Sequence, residues 1–114
     1  MTPNQIEGMA ALQSRLDKIV RESPEAFKLG LVKGAYILMR ASMQNAPVDT
    51  GFLRDSHEVV ETTQGVEMRV NAEYAFYVEY GTSKMAAQPY VRPALASESD
   101  RIVEAVAAEA KKVL

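Results

Sequence analysis

Residues 58–70 read EVVETTQGVEMRV, and they decide whether this chain is all helical or carries a sheet. In the second half, Val66, Met68 and Val70 alternate with Glu67 and Arg69, the period of a strand with one dry and one wet face. Glu58 to Thr62 has the character of a partner strand, and Thr63-Gln64-Gly65 supplies the reversal. The stretch reads as an antiparallel hairpin.

Outward from the hairpin the period changes from two to that of a helix. Upstream, Ser23-Pro24 reads as N-cap and first helical residue of a helix running from Glu25 to about Asn45. Its polar residues Lys28, Lys33, Arg40 and Gln44 interrupt a long apolar series that includes Phe27, Leu31, Tyr36, Met39 and Met43. An apolar belt that wide covers more than one face, so the helix is either central to the fold or meets another subunit. Pro47 ends it by pushing Ala46 out of helical space. Further upstream, Thr2-Pro3-Asn4-Gln5 reads as a capping box, with Ile6, Met9, Leu12, Leu16, Ile19 and Val20 recurring on one face of an amphipathic helix to about Arg21. Downstream, Pro93 to Leu114 reads as a helix with Leu95, Ile102, Val106, Ala110 and Val113 on one stripe. Arg101, Glu104, Glu109, Lys111 and Lys112 lie elsewhere, the late lysines suiting the negative end of the helix dipole. The expected fold is α+β: long N-terminal helices and a C-terminal helix packed on one side of a small antiparallel β-sheet, as a single domain over residues 1–114.

Composition narrows the function. A chain of 114 residues buries roughly two-thirds of its unfolded surface, enough for one core. It has no Cys, which removes disulfides, thiolate nucleophiles and sulfur-ligated zinc. His57 is the lone histidine, leaving carboxylates without recognisable ligand spacing, so neither metal nor cofactor is expected. The net charge of -2 argues against a dedicated nucleic-acid binder, which needs clustered Lys and Arg. Residues 57–80 are locally acidic, with Glu58, Glu61, Glu67, Glu73 and Glu79 against Arg69 alone, the mark of a solvated face. The N-terminus has neither a basic start nor an apolar run, so it reads as no signal peptide and no membrane span, in a protein expected to be soluble and to stay where it is made.

Between the long helix and the hairpin lies PVDTGFLRDS, residues 47–56, containing the Asp49-Thr50-Gly51 tripeptide of aspartic proteases. Such a site needs two carboxylates sharing one proton, so a chain with one Asp-Thr-Gly would have to act as a homodimer. The surroundings are wrong for that chemistry. Those enzymes are nearly all β and place the motif after an apolar strand, usually with a small residue after the glycine; here it follows a helix and a proline and precedes Phe52. A structural turn explains each residue: Pro47 breaks the helix, Asp49 accepts a backbone hydrogen bond two residues on, and Gly51 permits positive φ. Phe52 and Leu53 are then expected to drop into the core, and no enzymatic activity is expected.

The second dense stretch, YAFYVEYGTSKMAAQPYVRPAL at residues 74–95, holds Tyr74, Phe76, Tyr77, Tyr80 and Tyr90. Spacing leaves Tyr74–Tyr80 open between strand and short helix, ended in either case by Gly81. Glu79 lies among these aromatics, where an ionised carboxylate needs a partner; Arg54 and Arg92 are the candidates, and an exposed glutamate is the alternative.

These two stretches, in this order and about 17 residues apart between a helical region and a C-terminal helix, resemble the tail-component family of long-tailed bacteriophages, the tail-completion or head-tail joining proteins. The resemblance covers roughly residues 24–114 and rests on Pro47, Asp49, Thr50, Gly51, Leu53, Tyr74, Ala75, Glu79, Gly81, Thr82, Pro89, Pro93 and Ala94. His57 departs from it, standing where an apolar strand residue is more typical.

The resemblance implies a non-enzymatic virion part, made in the host cytoplasm, that forms a ring, commonly of six subunits, at the neck between the DNA-filled head and the tail. Its neighbours would be head-completion or connector proteins on one side and tail terminator or tail tube proteins on the other. DNA would pass through the lumen without specific binding, and no membrane would be involved. Under this reading Pro47, Asp49, Thr50, Gly51 and Leu53 form a structural turn. Tyr74, Tyr77, Glu79, Tyr80, Gly81, Thr82, Met85, Pro89, Tyr90 and Arg92 serve a subunit or partner interface, tyrosine being favoured there. The loop from Thr82 to Gln88 is expected to stay mobile until a neighbour orders it, and Glu58, Glu61 and Glu67 are expected to face the lumen. The rival readings are a tail terminator of the same region, a generic interaction domain or small nucleic-acid adaptor, and the homodimeric protease.

Overall fold

The computed structural model describes residues 10–112 except 12, 15, 16, 19, 49 and 50. The described residues between 10 and 22 are helical and exposed. Then follow α1 (Pro24–Asn45), a single turn α2 (Phe52–Asp55), β1 (His57–Thr62), β2 (Gly65–Val70), a short α3 (Ala75–Tyr80) and the long α4 (Val91–Lys111). The class is α+β, as the hairpin stretch indicates.

The hairpin forms for the reason its sequence gives. Its strands pair antiparallel, with Val59 opposite Met68, His57 opposite Val70 and Glu61 opposite Val66 on one face, and Glu58 opposite Arg69 and Val60 opposite Glu67 on the other. Thr62 pairs with Gly65, so the reversal is the two residues Thr63 and Gln64. The alternation Val66, Met68, Val70 lies half-buried while Glu67 and Arg69 are exposed, and the dry face rests on α1.

α1 and α4 make the largest contact in the fold, and small residues set its closeness. A methyl group placed on Gly30 would lie 2.6 Å from Val106 Cα, and one on Gly34 would lie 2.8 Å from Ile102 Cγ2. Nothing larger than a hydrogen fits at Gly30 without moving backbone. Gly30 and Gly34 stand four residues apart and so share one face of α1. Ser42 continues the buried side, and α1 ends where Pro47 requires, with Ala46 extended at φ -64 and ψ 134. Ser23 occupies the N-cap, but its side chain makes no capping bond; its carbonyl accepts from Phe27 N–H at 2.9 Å.

Two expected core positions fall differently. In the single turn α2, Leu53 is buried and Phe52 is exposed, because successive helical residues point about 100° apart and only one can face inward. In α4 the buried positions are Ala94, Val106, Glu109 and Ala110, and Leu95 is 51 % exposed. Leu95 is one helical step from Ala94, so the inward stripe passes through the alanine. Val113 and the capping box at the N-terminus lie outside the described residues.

The chain is drawn out, with a radius of gyration of 16.3 Å against about 13 Å for a compact chain of about 100 residues. An extended shape buries less, and among the described residues Ala46, Leu53, Ala72, Ala75 and Tyr90 form a buried apolar cluster, with Val70, Val78 and Val91 packed against it.

Candidate functional site

The aromatic stretch is a helix, not a strand. Tyr74–Tyr80 resolves into α3, ended by Gly81 at φ 77, where an added methyl would sit 2.7 Å from Ala87 N. Glycine is needed there twice over, for the left-handed backbone and for the close approach of the following loop. Ala75 and Glu79 are the buried positions of α3; Phe76, Tyr77 and Tyr80 point away, at 65 %, 54 % and 54 % exposure. Phe76 packs on Tyr80 with centroids 4.7 Å apart and edge-on to Tyr77 at 6.0 Å, so the three rings make one outward ridge.

The ridge is held by Glu79, whose partner is Arg92 and not Arg54. Glu79 Oε1 accepts from Tyr90 N–H at 3.0 Å and Val91 N–H at 2.9 Å, and Oε2 accepts from Arg92 N–H at 3.2 Å and Arg92 Nε at 3.0 Å. The Arg92 guanidinium also donates to the Glu79 carbonyl at 2.8 Å and lies 4.5 Å above the Tyr80 ring. Glu79 thereby supplies from another helix the cap that Tyr90, at the N-cap of α4, does not supply. This also explains why α4 begins at Val91 rather than at Pro93: the first donors are all satisfied by one carboxylate, and Pro93 has no N–H to leave bare. Burial alone would push the Glu79 carboxyl up. The hydrogen bonds from Val91, Tyr90 and Arg92 outweigh it and hold the group below the ordinary carboxylate value.

Tyr90 is the buried anchor of this joint. Its hydroxyl donates to the Ala75 carbonyl at 3.2 Å, and its carbonyl accepts from Asn45 Nδ2 at 3.3 Å. Burial, with the charge of Glu79 and then Tyr74 nearby, pushes its phenol up to about 12. Its ring meets that of His57 edge-on at 5.8 Å. His57 Nδ1 faces the carbonyls of Leu53 at 3.1 Å and Arg54 at 2.9 Å, both acceptors, so Nδ1 carries the proton. Ser42 then donates to Nε2 at 2.7 Å. The histidine that breaks the strand pattern is thus a buried polar bolt joining α1, α2 and β1. No residue spacing marks Ser42 as its partner.

The remaining expected site residues divide. Gly51 has φ 84, as the turn reading requires, and Leu53 is buried; Asp49 and Thr50 lie outside the described residues. Pro47, Gly51, Phe52, Leu53, Tyr74, Val78, Met85 and Gln88 enclose a cavity of about 310 Å³, which brings the turn and the aromatic segment together. Instead of trailing free, the loop after Gly81 carries its own frame. Thr82 N–H donates to the Met85 carbonyl at 2.8 Å, Thr82 Oγ1 accepts from the N–H groups of Lys84 and Met85, and Gln88 N–H donates to the Val78 carbonyl at 2.8 Å. Glu58, Glu61 and Glu67 do not make one acidic surface: the hairpin register puts Glu61 on the face opposite the other two, and Glu67 is paired with Arg69 at 2.9 Å.

A second surface escapes the motif reading. Tyr36, Met39, Arg40, Met43, Gln44, Val48 and Arg54 line an open groove of about 500 Å³. The residues of α1 among them recur at helical spacing on the side away from Gly30, Gly34 and Ser42. The over-wide apolar belt is therefore two faces: one covered by α4 and the hairpin, the other uncovered by the described residues. The spacing of 36, 39, 40 and 43 was the signal for it.

One surface is an aromatic ridge and the other an open, methionine-lined groove, both framed by polar side chains, the make-up of a protein that docks against other proteins. Among the described residues no group of three His, Cys, Asp or Glu could hold a metal ion, and no helix is long and apolar enough to cross a membrane. The family whose model matches is described as "Bacteriophage HK97-gp10, putative tail-component", over residues 10–81. The chain belongs to this family of phage tail components and is by that membership a part of the virion. The match takes in the turn, the hairpin and the aromatic ridge and stops at Gly81, short of the Tyr90–Arg92 clamp. No curated protein and no solved structure matches the chain.

Proposed function

We propose that this tail component is a non-enzymatic neck protein that assembles as a ring, commonly six copies, and joins the DNA-filled head to the finished tail. The observation that carries the reading is the outward ridge of Phe76, Tyr77 and Tyr80, fixed at its base by Glu79 and Arg92. Three large rings facing solvent are unfavourable for a lone chain and favourable once a partner covers them. A helix clamped at both ends presents them without the ordering cost that a loose loop would carry on binding. The partners are further copies, head-completion or connector proteins on one side, and tail terminator or tail tube proteins on the other, with DNA passing through without specific contacts.

Electron microscopy of particles made without this gene tests the proposal. Filled heads and tails of normal length that fail to join are the expected result. Tails of uncontrolled length would make the protein a terminator instead, and intact infectious virions would overturn the neck role altogether. Supplying Asp49→Asn in place of the parent chain separates the structural turn from a protease: joining should be restored in full.

A further inference from the structure

We infer that the two uncovered surfaces are made for each other: the ridge of Phe76, Tyr77 and Tyr80 on one copy seats in the α1 groove of Tyr36, Met39 and Met43 on the next. The inference rests on the assembly reading above and adds which surfaces meet and in what sense.

The groove lies on the outer side of α1, whose inner side is already taken by α4 and the hairpin. Among the described residues none covers it, and a second copy of the chain is the occupant inferred. At about 500 Å³ with Met39 and Met43 in its wall, it has room for aromatic rings, and unbranched thioethers adapt to rings and attract them. Arg54 at the groove and Arg92 at the ridge are already paired, with Asp55 and Glu79, so the charges left to meet across the contact are one at each surface. Arg40 stands exposed beside the groove, and Glu73 stands exposed at the start of the ridge; neither has a charged partner among the described residues. Pairing them across the contact satisfies both and fixes its register. Because ridge and groove are different surfaces, the contact is head-to-tail: every copy uses one of each, and the series closes when the rotation allows.

The test uses two variants changed only at exposed positions. Phe76→Ser with Tyr77→Asp disables the ridge, and Tyr36→Ser with Arg40→Glu disables the groove; circular dichroism checks that both fold. In sedimentation velocity the parent chain should form a closed oligomer, and each variant alone should stay a monomer. An equimolar mixture should give heterodimers and nothing larger, since one intact ridge meets one intact groove and growth stops. Glu73→Lys added to Arg40→Glu alone should regain assembly lost to the single charge reversal. A parent chain monomeric at every concentration, a variant that assembles like the parent, or a mixture that stays monomeric would each overturn the inference. The neck reading fails separately: a monomeric parent chain that still restores head-tail joining sinks this contact alone, while an assembling chain dispensable for virions sinks only the neck role.

Discussion

The carboxylate of Glu79 lies 3.0 Å from Nε of Arg92, thirteen residues on, and the same carboxylate closes the N-terminus of α4 by accepting from three consecutive backbone N–H groups. The two partners are not equal. Glu79 is buried and serves four donors, whereas Arg92 is half exposed. Removing the acid strands the donors it serves, and removing the base leaves the carboxylate still bonded to backbone. Glu79→Ala should therefore cost about 3 kcal/mol and Arg92→Ala only about 1 kcal/mol, as read from urea unfolding midpoints. Equal losses would mean that the ion pair, not the cap, holds the joint.

Acid should weaken the same joint. The folded-state value of Glu79 lies below its ordinary value of 4.5, and that of Glu109, held down by hydrogen bonds from Lys33 and then Lys112, lies below it too. A depressed carboxylate contributes stability that is present above the unfolded value and is lost as pH falls through the folded one. The melting temperature should thus hold from neutrality to about pH 5 and fall below that. Glu79→Gln should start lower and lose less with acid. An unchanged slope in that variant would assign the acid limb to other groups.

Tyr90 sets a matching limit in alkali. Its phenol is pushed from 10.0 up to about 12, so the unfolded chain gives up this proton first and unfolding becomes easier as pH rises between those values. In an absorbance titration of tyrosinate, one of the five tyrosines should ionise late, and Tyr90→Phe should remove that late step. All five titrating together would contradict the burial that anchors Tyr90 between α3 and α4.

How much of this was legible in the residues follows from the range of the forces involved. The hairpin, both ends of α1 and the turn at Gly51 come from local rules: alternation, proline geometry and positive φ. The acid on Glu79 announced its need for a partner, since a carboxylate among aromatics cannot stand alone. What stayed hidden depends on chain-distant approach. Nothing near Ser42 says that His57 will accept a hydrogen bond from its hydroxyl. No period distinguishes Ala94 from Leu95 as the inward residue until α4 lies on α1. Likewise the width of the α1 belt signalled two faces, but only packing tells which one the fold covers.

The Ser42–His57 pair gives a further test because it is sealed from water. Ser42 is fully buried and its hydroxyl donates to Nε2 at 2.7 Å. Ser42→Ala removes the donor with almost no change in volume, leaving a buried acceptor bare, at a cost of about 1–3 kcal/mol. In a double-mutant cycle Ser42→Ala should cost less in a His57→Phe background than in the parent chain, since no nitrogen is then left to strand. His57→Phe is itself destabilising through the lost bonds to the Leu53 and Arg54 carbonyls. Additive effects would mean that the two side chains act independently.

The approach of α1 to α4 at Gly30 and Gly34 gives a contrast that can be tested. Replacing glycine by alanine inside a helix favours folding by about 1 kcal/mol where space allows, and at Gly30 it does not. The added methyl meets the Cα of Val106 at 2.6 Å, and relief requires α1 and α4 to separate. At Gly34 the first obstacle, at 2.8 Å, is Cγ2 of Ile102, a side-chain methyl held by a stiff χ1, but the nearest backbone atom is 3.7 Å away, so the strain there is smaller. Gly30→Ala should lower stability by about 1–3 kcal/mol, and Gly34→Ala should come out closer to neutral. Pairing Gly30→Ala with Val106→Ala tests the cause: the clash is with backbone, so trimming the valine should not rescue the helix contact. Full rescue would show that the valine side chain, rather than the α4 backbone, sets the distance between the two helices.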